Sequence, residues 1–142
     1  MEFIIHTRKR IESTPPPAVP HVVISITTSP HDEARIPETP AFRGILRLAF
    51  FDSDLPPEEE GPEGLFAAAD ARRIWDFVLA HRAQVACVVL HCNAGLSRSP
   101  GVAAALARAL DGEDAEFFAR YKPNSRVYRI LLDVYAAEYA GR

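Results

Sequence analysis

The chain has 142 residues, 48% of them apolar and 25% charged, with a net charge of −3. That is the length of one domain with a true hydrophobic core, and residues 1–142 read as a single unit. The acidic balance argues against a nucleic-acid binder, and two cysteines, Cys87 and Cys92, exclude both a disulfide scaffold and an all-cysteine zinc site.

In chain order, Phe3-Ile4-Ile5 reads as a short strand, and the basic trio Arg8-Lys9-Arg10 as its solvated end. No secretory leader is expected, and no apolar run approaches the roughly 20 residues that span a membrane. Prolines 15, 16, 17 and 20 break the chain before a second strand, Val22-Val23-Ile24-Ser25-Ile26. A loop marked by Pro30, Pro37 and Pro40 leads to a third strand from Gly44 to Phe50. The segment Pro56 to Pro62, with Glu58-Glu59-Glu60 at its centre, reads as a solvated acidic lid.

Ala71, Ile74, Trp75, Val78 and Leu79 recur at helical spacing, which makes one apolar stripe and puts Trp75 in the core. A fourth strand from Val85 to His91 is rich in aliphatic residues, as a strand buried on both faces is. Alanine and leucine from Val102 to Leu110 form a helix. A shorter helix is expected from Asp114 to Tyr121, and a last one through Val127, Ile130, Leu131, Val134 and Tyr135, N-capped by Asn124. The pattern predicts an α/β domain: a mainly parallel central sheet of about four to five strands, flanked by helices.

Cys87 and Cys92 are five residues apart on one strand, so they point to opposite faces and cannot reach disulfide distance. Two free thiols fit a reducing cytoplasm. His6, His21, His31 and His81 show no ligand spacing and are expected at the surface or in loops.

The segment from Val88 to Ala105 runs strand, sharp loop, helix. Sites in such sheets lie beyond the carboxyl ends of the strands, where Cys92 stands. Gly95 allows a left-handed turn, and Pro100 is tolerated in a first helical turn. The backbone N–H groups of Asn93, Ala94, Gly95, Leu96, Ser97 and Arg98 precede or open the helix. They can converge with its dipole on an anion. The same field favours a thiolate, the nucleophilic form of cysteine. The Arg98 fork can bind two phosphate oxygens, and the Ser99 hydroxyl can donate to the sulfur.

The run His91-Cys92-Asn93-Ala94-Gly95-Leu96-Ser97-Arg98-Ser99-Pro100 resembles the signature loop of the dual-specificity branch of the protein tyrosine phosphatase superfamily. Pro123-Asn124 resembles a second, weaker feature, and the likeness extends from Val22 to Tyr135. The resemblance implies a tyrosine-phosphatase-like fold and a catalytic domain in which Cys92 attacks phosphorus to form a thiophosphate. Asn93 to Arg98 would bind the phosphoryl group. Ser99 would assist breakdown of the intermediate, and His91 would orient the loop from behind. The chemistry implies no metal or other cofactor.

The family also takes an aspartic acid from an upstream loop that follows a strand. Asp52 is the first choice and Asp54 the alternative, although the 40 residues from Asp52 to Cys92 exceed the usual gap. The expected substrate is a phosphorylated protein or a small phosphomonoester, with phosphotyrosine foremost and phosphoserine and phosphothreonine as extensions. The protein is expected to be a monomer that binds neither nucleic acid nor membrane. Phosphoinositide or nucleotide substrates, and a phosphate-reading module, stand as alternatives. A rhodanese-like transferase has a loop one residue shorter, and a low-molecular-weight phosphatase has the opposite order of loop and acid.

Overall fold

The computed structural model describes residues 1–141. Its first strand, β1 (Glu2–Thr7), runs directly into a short helix, α1 (Arg8–Ser13). The basic trio is therefore the first turn of a helix and not a solvated strand end. The cause is local: the Thr7 hydroxyl caps the helix by accepting from the Arg10 N–H at 3.0 Å, and Ile11 is buried against the sheet. Arg8 pairs with Asp32 at 2.9 Å.

Strands β2 (His21–Thr27), β3 (Phe42–Ala49) and β4 (Cys87–Cys92) complete the sheet. Helix α2 (Ala68–His81) connects β3 to β4. After β4 come α3 (Arg98–Asp111), α4 (Ala115–Arg120) and α5 (Ser125–Val134), and a π-helical turn, Tyr135–Tyr139, extends α5. The sheet has four strands in the order β1-β4-β2-β3, all parallel. Strands β3 and β4 join through α2 but do not touch, because β2 lies between them.

Every residue of β2 and β4 is buried, as their aliphatic runs require. Alternation divides their side chains between two layers. Val22, Ile24, Ile26, Val88, Leu90 and Cys92 pack against α2, α3 and α5. Val23, Cys87 and Val89 face Ile11 of α1. The two thiols thus lie on opposite faces, both free and both buried. Trp75 is fully buried, and its indole N–H donates to Leu131 O at 2.9 Å, so α2 and α5 are tied together by a polar contact inside an apolar layer.

His21 departs from its surface assignment. It is buried at the start of β2, where Nδ1 donates to Val19 O at 2.9 Å. Among the described residues no helix is long and apolar enough to cross a membrane.

Candidate active site

Five residues, Asn93 to Ser97, join the end of β4 to the start of α3. Three of their five carbonyls are tied to neighbouring elements. Asn93 O accepts from the Arg8 N–H at 3.1 Å, Leu96 O from Lys122 at 3.0 Å, and Ser97 O from Asn124 and Gly101, both at 2.9 Å. Among the described residues no acceptor takes the N–H groups of these five. A loop with three carbonyls so held and its donors left over at a helix N-terminus is suited to cradle an anion.

Gly95 makes the curl possible. Its φ is +67°, in the left-handed region, and a Cβ there would lie 2.9 Å from His6 O and 3.1 Å from Thr7 N. The loop therefore rests directly on the junction of β1 and α1, at a distance only glycine allows.

Cys92 ends β4 at the floor of this loop. Its Sγ is 3.2 Å from Ser99 Oγ, and the Ser99 N–H also points at it, at 3.5 Å. Arg98 opens α3 and is 5% exposed. Its Nη1 donates to Thr28 Oγ1 at 3.0 Å and to Phe50 O at 2.9 Å, which fixes the guanidinium across the ends of β2 and β3. No carboxylate pairs with it among the described residues, and its Nε is buried without a partner. A buried cation with an idle donor has a strong demand for an anion.

Asp52 is brought to this loop. Its Oδ1 accepts from the Ser97 hydroxyl at 2.8 Å and from Asn124 Nδ2 at 2.9 Å, and no hydrogen bond reaches Oδ2 among the described residues. Ser97 stands at the cap position of α3, yet its side chain caps nothing there because it serves Asp52. Asp54 is exposed, and no such contact joins it to the loop.

His91 lies under the loop with no exposed surface. Cys92 O can only accept, so at 3.3 Å the proton sits on His91 Nδ1, and Nε2 accepts from the Ser25 hydroxyl at 2.6 Å. Burial pulls the imidazole down to about 4, which keeps the ring neutral in this role.

Two residues at the start of α5, neither of them a candidate site residue from sequence, reach the Asp52 segment. Asn124 caps α5 as expected, with Oδ1 accepting from the Val127 N–H at 3.0 Å. Its Nδ2 also holds Asp52 and Ser53 O. Arg126 binds backbone carbonyls of the segment that follows Asp52. One signal for Arg126 was available: it stands four residues before Ile130 and eight before Val134, on the buried stripe of α5. Among the described residues no group of three or more His, Cys, Asp or Glu side chains is placed to hold a metal ion.

A parallel α/β sheet with a cysteine at the tip of a central strand, beneath a loop of unpaired N–H groups, has the architecture of the tyrosine phosphatase superfamily. The chain folds as the dual-specificity phosphatases do. Human tyrosine phosphatase-like serine/threonine/tyrosine-interacting protein matches with a TM-score of 0.65 and 18% identity, over 97% of this chain and 93% of that one. PTPMT1 in complex with PI(5)P matches at 0.60 and 18%, over 96% and 91%. A variant of human DUSP28 is 25% identical, with a TM-score of 0.54, over 87% and 80%. No protein-family model and no curated protein matches the chain.

Proposed function

We propose that the protein is a cysteine-dependent phosphomonoester hydrolase whose substrate is protein phosphotyrosine, with phosphoserine and phosphothreonine as shorter alternatives. One observation carries this reading: the loop that follows the Cys92 thiol leaves the N–H groups of residues 93 to 97 without acceptors among the described residues, and it leads into a buried Arg98 that no carboxylate pairs with there. Together they favour a dianion and the thiolate that attacks it.

In the proposed cycle the Cys92 thiolate attacks phosphorus, and the bond from phosphorus to the leaving oxygen breaks. Asp52 gives its proton to that oxygen and the alcohol departs. Asp52 then takes a proton from water, whose oxygen attacks the thiophosphate. The P–S bond breaks, phosphate leaves, and the thiolate and the protonated acid are restored. The Ser99 hydroxyl donates to the departing sulfur. His91 stays neutral and holds the backbone at Cys92.

Phosphotyrosine is favoured by the rim. Phe51 and Leu96, chain neighbours of the bonded pair Asp52 and Ser97, are 50% and 57% exposed. They offer apolar surface to an aromatic ring. A phosphoinositide, the ligand class of the PTPMT1 complex, would call for further cations, and Asn93, Ala94, Leu96 and Ser97 carry none. A purely phosphate-reading module is disfavoured because nucleophile and arginine are both present. Two free thiols and a single catalytic unit fit a monomer in a reducing cytoplasm.

Hydrolysis of an aryl phosphate by the wild type and by Cys92→Ser tests the chemistry. Activity lost only in the variant supports it, and equal activity in both refutes it. A panel of phosphopeptides, phosphoinositides and nucleotides then ranks the substrate classes.

A further inference from the structure

We infer that Arg126 is a positioning residue that holds the Asp52 loop ready before substrate arrives; this rests on the reading of Asp52 as the acid. Arg126 is 8% exposed. Its Nε donates to Phe66 O at 2.9 Å, and its Nη1 donates to Leu55 O at 3.0 Å and Pro56 O at 3.1 Å. No carboxylate pairs with it among the described residues. Burying a guanidinium is costly, and an apolar side chain at this stripe position would pack without that cost. What the arginine adds is a three-point grip on backbone.

The carbonyls it grips lie at both ends of one excursion. Leu55 and Pro56 begin it, three and four residues after Asp52, and Phe66 ends it. One side chain thus pins the base of the acidic segment and leaves its glutamates outside. Phe66 is itself wedged against Phe50, ring centroids 4.9 Å apart, and Phe50 O is a partner of Arg98. Two residues earlier on the same chain, Asn124 holds Asp52 and Ser53, and its backbone N–H holds Ser97 O of the cradle. The start of α5 therefore joins acid loop and anion cradle into one unit.

In kcat/KM, which covers the steps up to P–O cleavage and not the later hydrolysis of the thiophosphate, loss of this grip should be felt only where the leaving oxygen needs a proton. The test compares Arg126→Met and Arg126→Lys with the wild-type chain on two aryl phosphates. One releases a weakly acidic phenol that must be protonated; the other releases a strongly acidic phenol that leaves unaided. For Arg126→Met the expected loss in kcat/KM is about 10- to 100-fold on the first and under about threefold on the second. Inhibition by vanadate should stay near wild type, because the cradle is untouched. Arg126→Lys should recover part of the loss by keeping some of the carbonyl contacts.

Equal losses on both substrates, or none on either, overturn the inference. Should Arg126→Met not fold, Arg126→Lys and Arg126→Gln carry the same comparison. Asp52→Asn serves as the control for the underlying reading. If it shows no dependence on the leaving group, the acid assignment fails and this inference with it. If it shows one and the Arg126 variants do not, only the inference fails.

Discussion

Asn124 offers the sharpest separation of stability from chemistry, because its two side-chain atoms do different work. Oδ1 caps α5 through the Val127 N–H, while Nδ2 donates to Asp52 Oδ1 and Ser53 O, and the residue is 3% exposed. Asn124→Ala removes both functions. Loss of the cap costs about 1 kcal/mol, and loss of the two donors about 1 kcal/mol more, limited because Asp52 can turn to water. About 2 kcal/mol in a chain of this length lowers Tm by roughly 6–8 °C. Asn124→Asp instead keeps an oxygen for Val127 and replaces the amide with a second carboxylate oxygen facing Asp52. Two carboxylates at hydrogen-bond distance repel by about 1 kcal/mol or more even in bulk water, so Asp52 is pushed off its anchor while the cap survives. Thermal melts and steady-state kinetics on an unactivated aryl phosphate read the two effects separately. Both variants should lose about 10- to 100-fold in kcat with KM little changed, and only the alanine should lose the cap contribution to Tm. Wild-type kcat in Asn124→Asp would refute the claim that this bond positions Asp52.

Three further outcomes follow from the same geometry. Gly95→Ala forces a side chain into the left-handed region, at about 1–2 kcal/mol, and drives a Cβ to 2.9 Å from His6 O, so urea unfolding should show at least that loss together with weakened vanadate inhibition; an unchanged midpoint refutes the close approach. Arg98→Lys keeps the charge but loses the fork held by Thr28 and Phe50, and kcat/KM should fall by about 10²- to 10³-fold; a change under tenfold would deny the arginine its transition-state role. His91 titrates near 4 when folded and near 6.5 when unfolded, because burial disfavours its charged form. Between those values the unfolded chain binds the extra proton, so the contribution is full above about pH 6.5, declines as pH falls, and levels off below about 4. The total is about 3 kcal/mol. His91→Gln should flatten the stability profile across that window relative to wild type, and parallel profiles would refute the assignment.

What could be read from the sequence is what is local. The cradle is written in ten consecutive residues, His91 to Pro100, and its strand and helix are written in the aliphatic run before it and the alanine-rich run after it. Arg8-Lys9-Arg10 misled because a helix of six residues is too short to show a period, and only the Thr7 cap and the burial of Ile11 make it one. His21 misled for a similar reason, since its partner is the carbonyl of Val19 at the end of the proline-rich linker. Asn124 and Arg126 reach Asp52, Ser53, Leu55, Pro56 and Phe66 across 60 to 72 residues of chain, and no window along the sequence spans that.

The long interval between Asp52 and Cys92, which sat poorly with the resemblance, has a physical explanation in those same contacts. Arg126 ties Leu55 and Pro56 to Phe66, so the acidic segment between them closes on itself at its base. Extra residues placed beyond a pinned base lengthen the chain without moving what lies before it. Lengthening such a loop is also cheap, since closure cost grows only with the logarithm of length. Asp52 lies before the base and is held by Ser97 and Asn124, one from the cradle and one from α5. Asp54 stands between the two grips and receives neither. Separation in sequence therefore does not weigh against Asp52 as the proposed acid, and the donors that reach each carboxylate show which of the two is held at the cradle: two for Asp52, and none for Asp54 among the described residues.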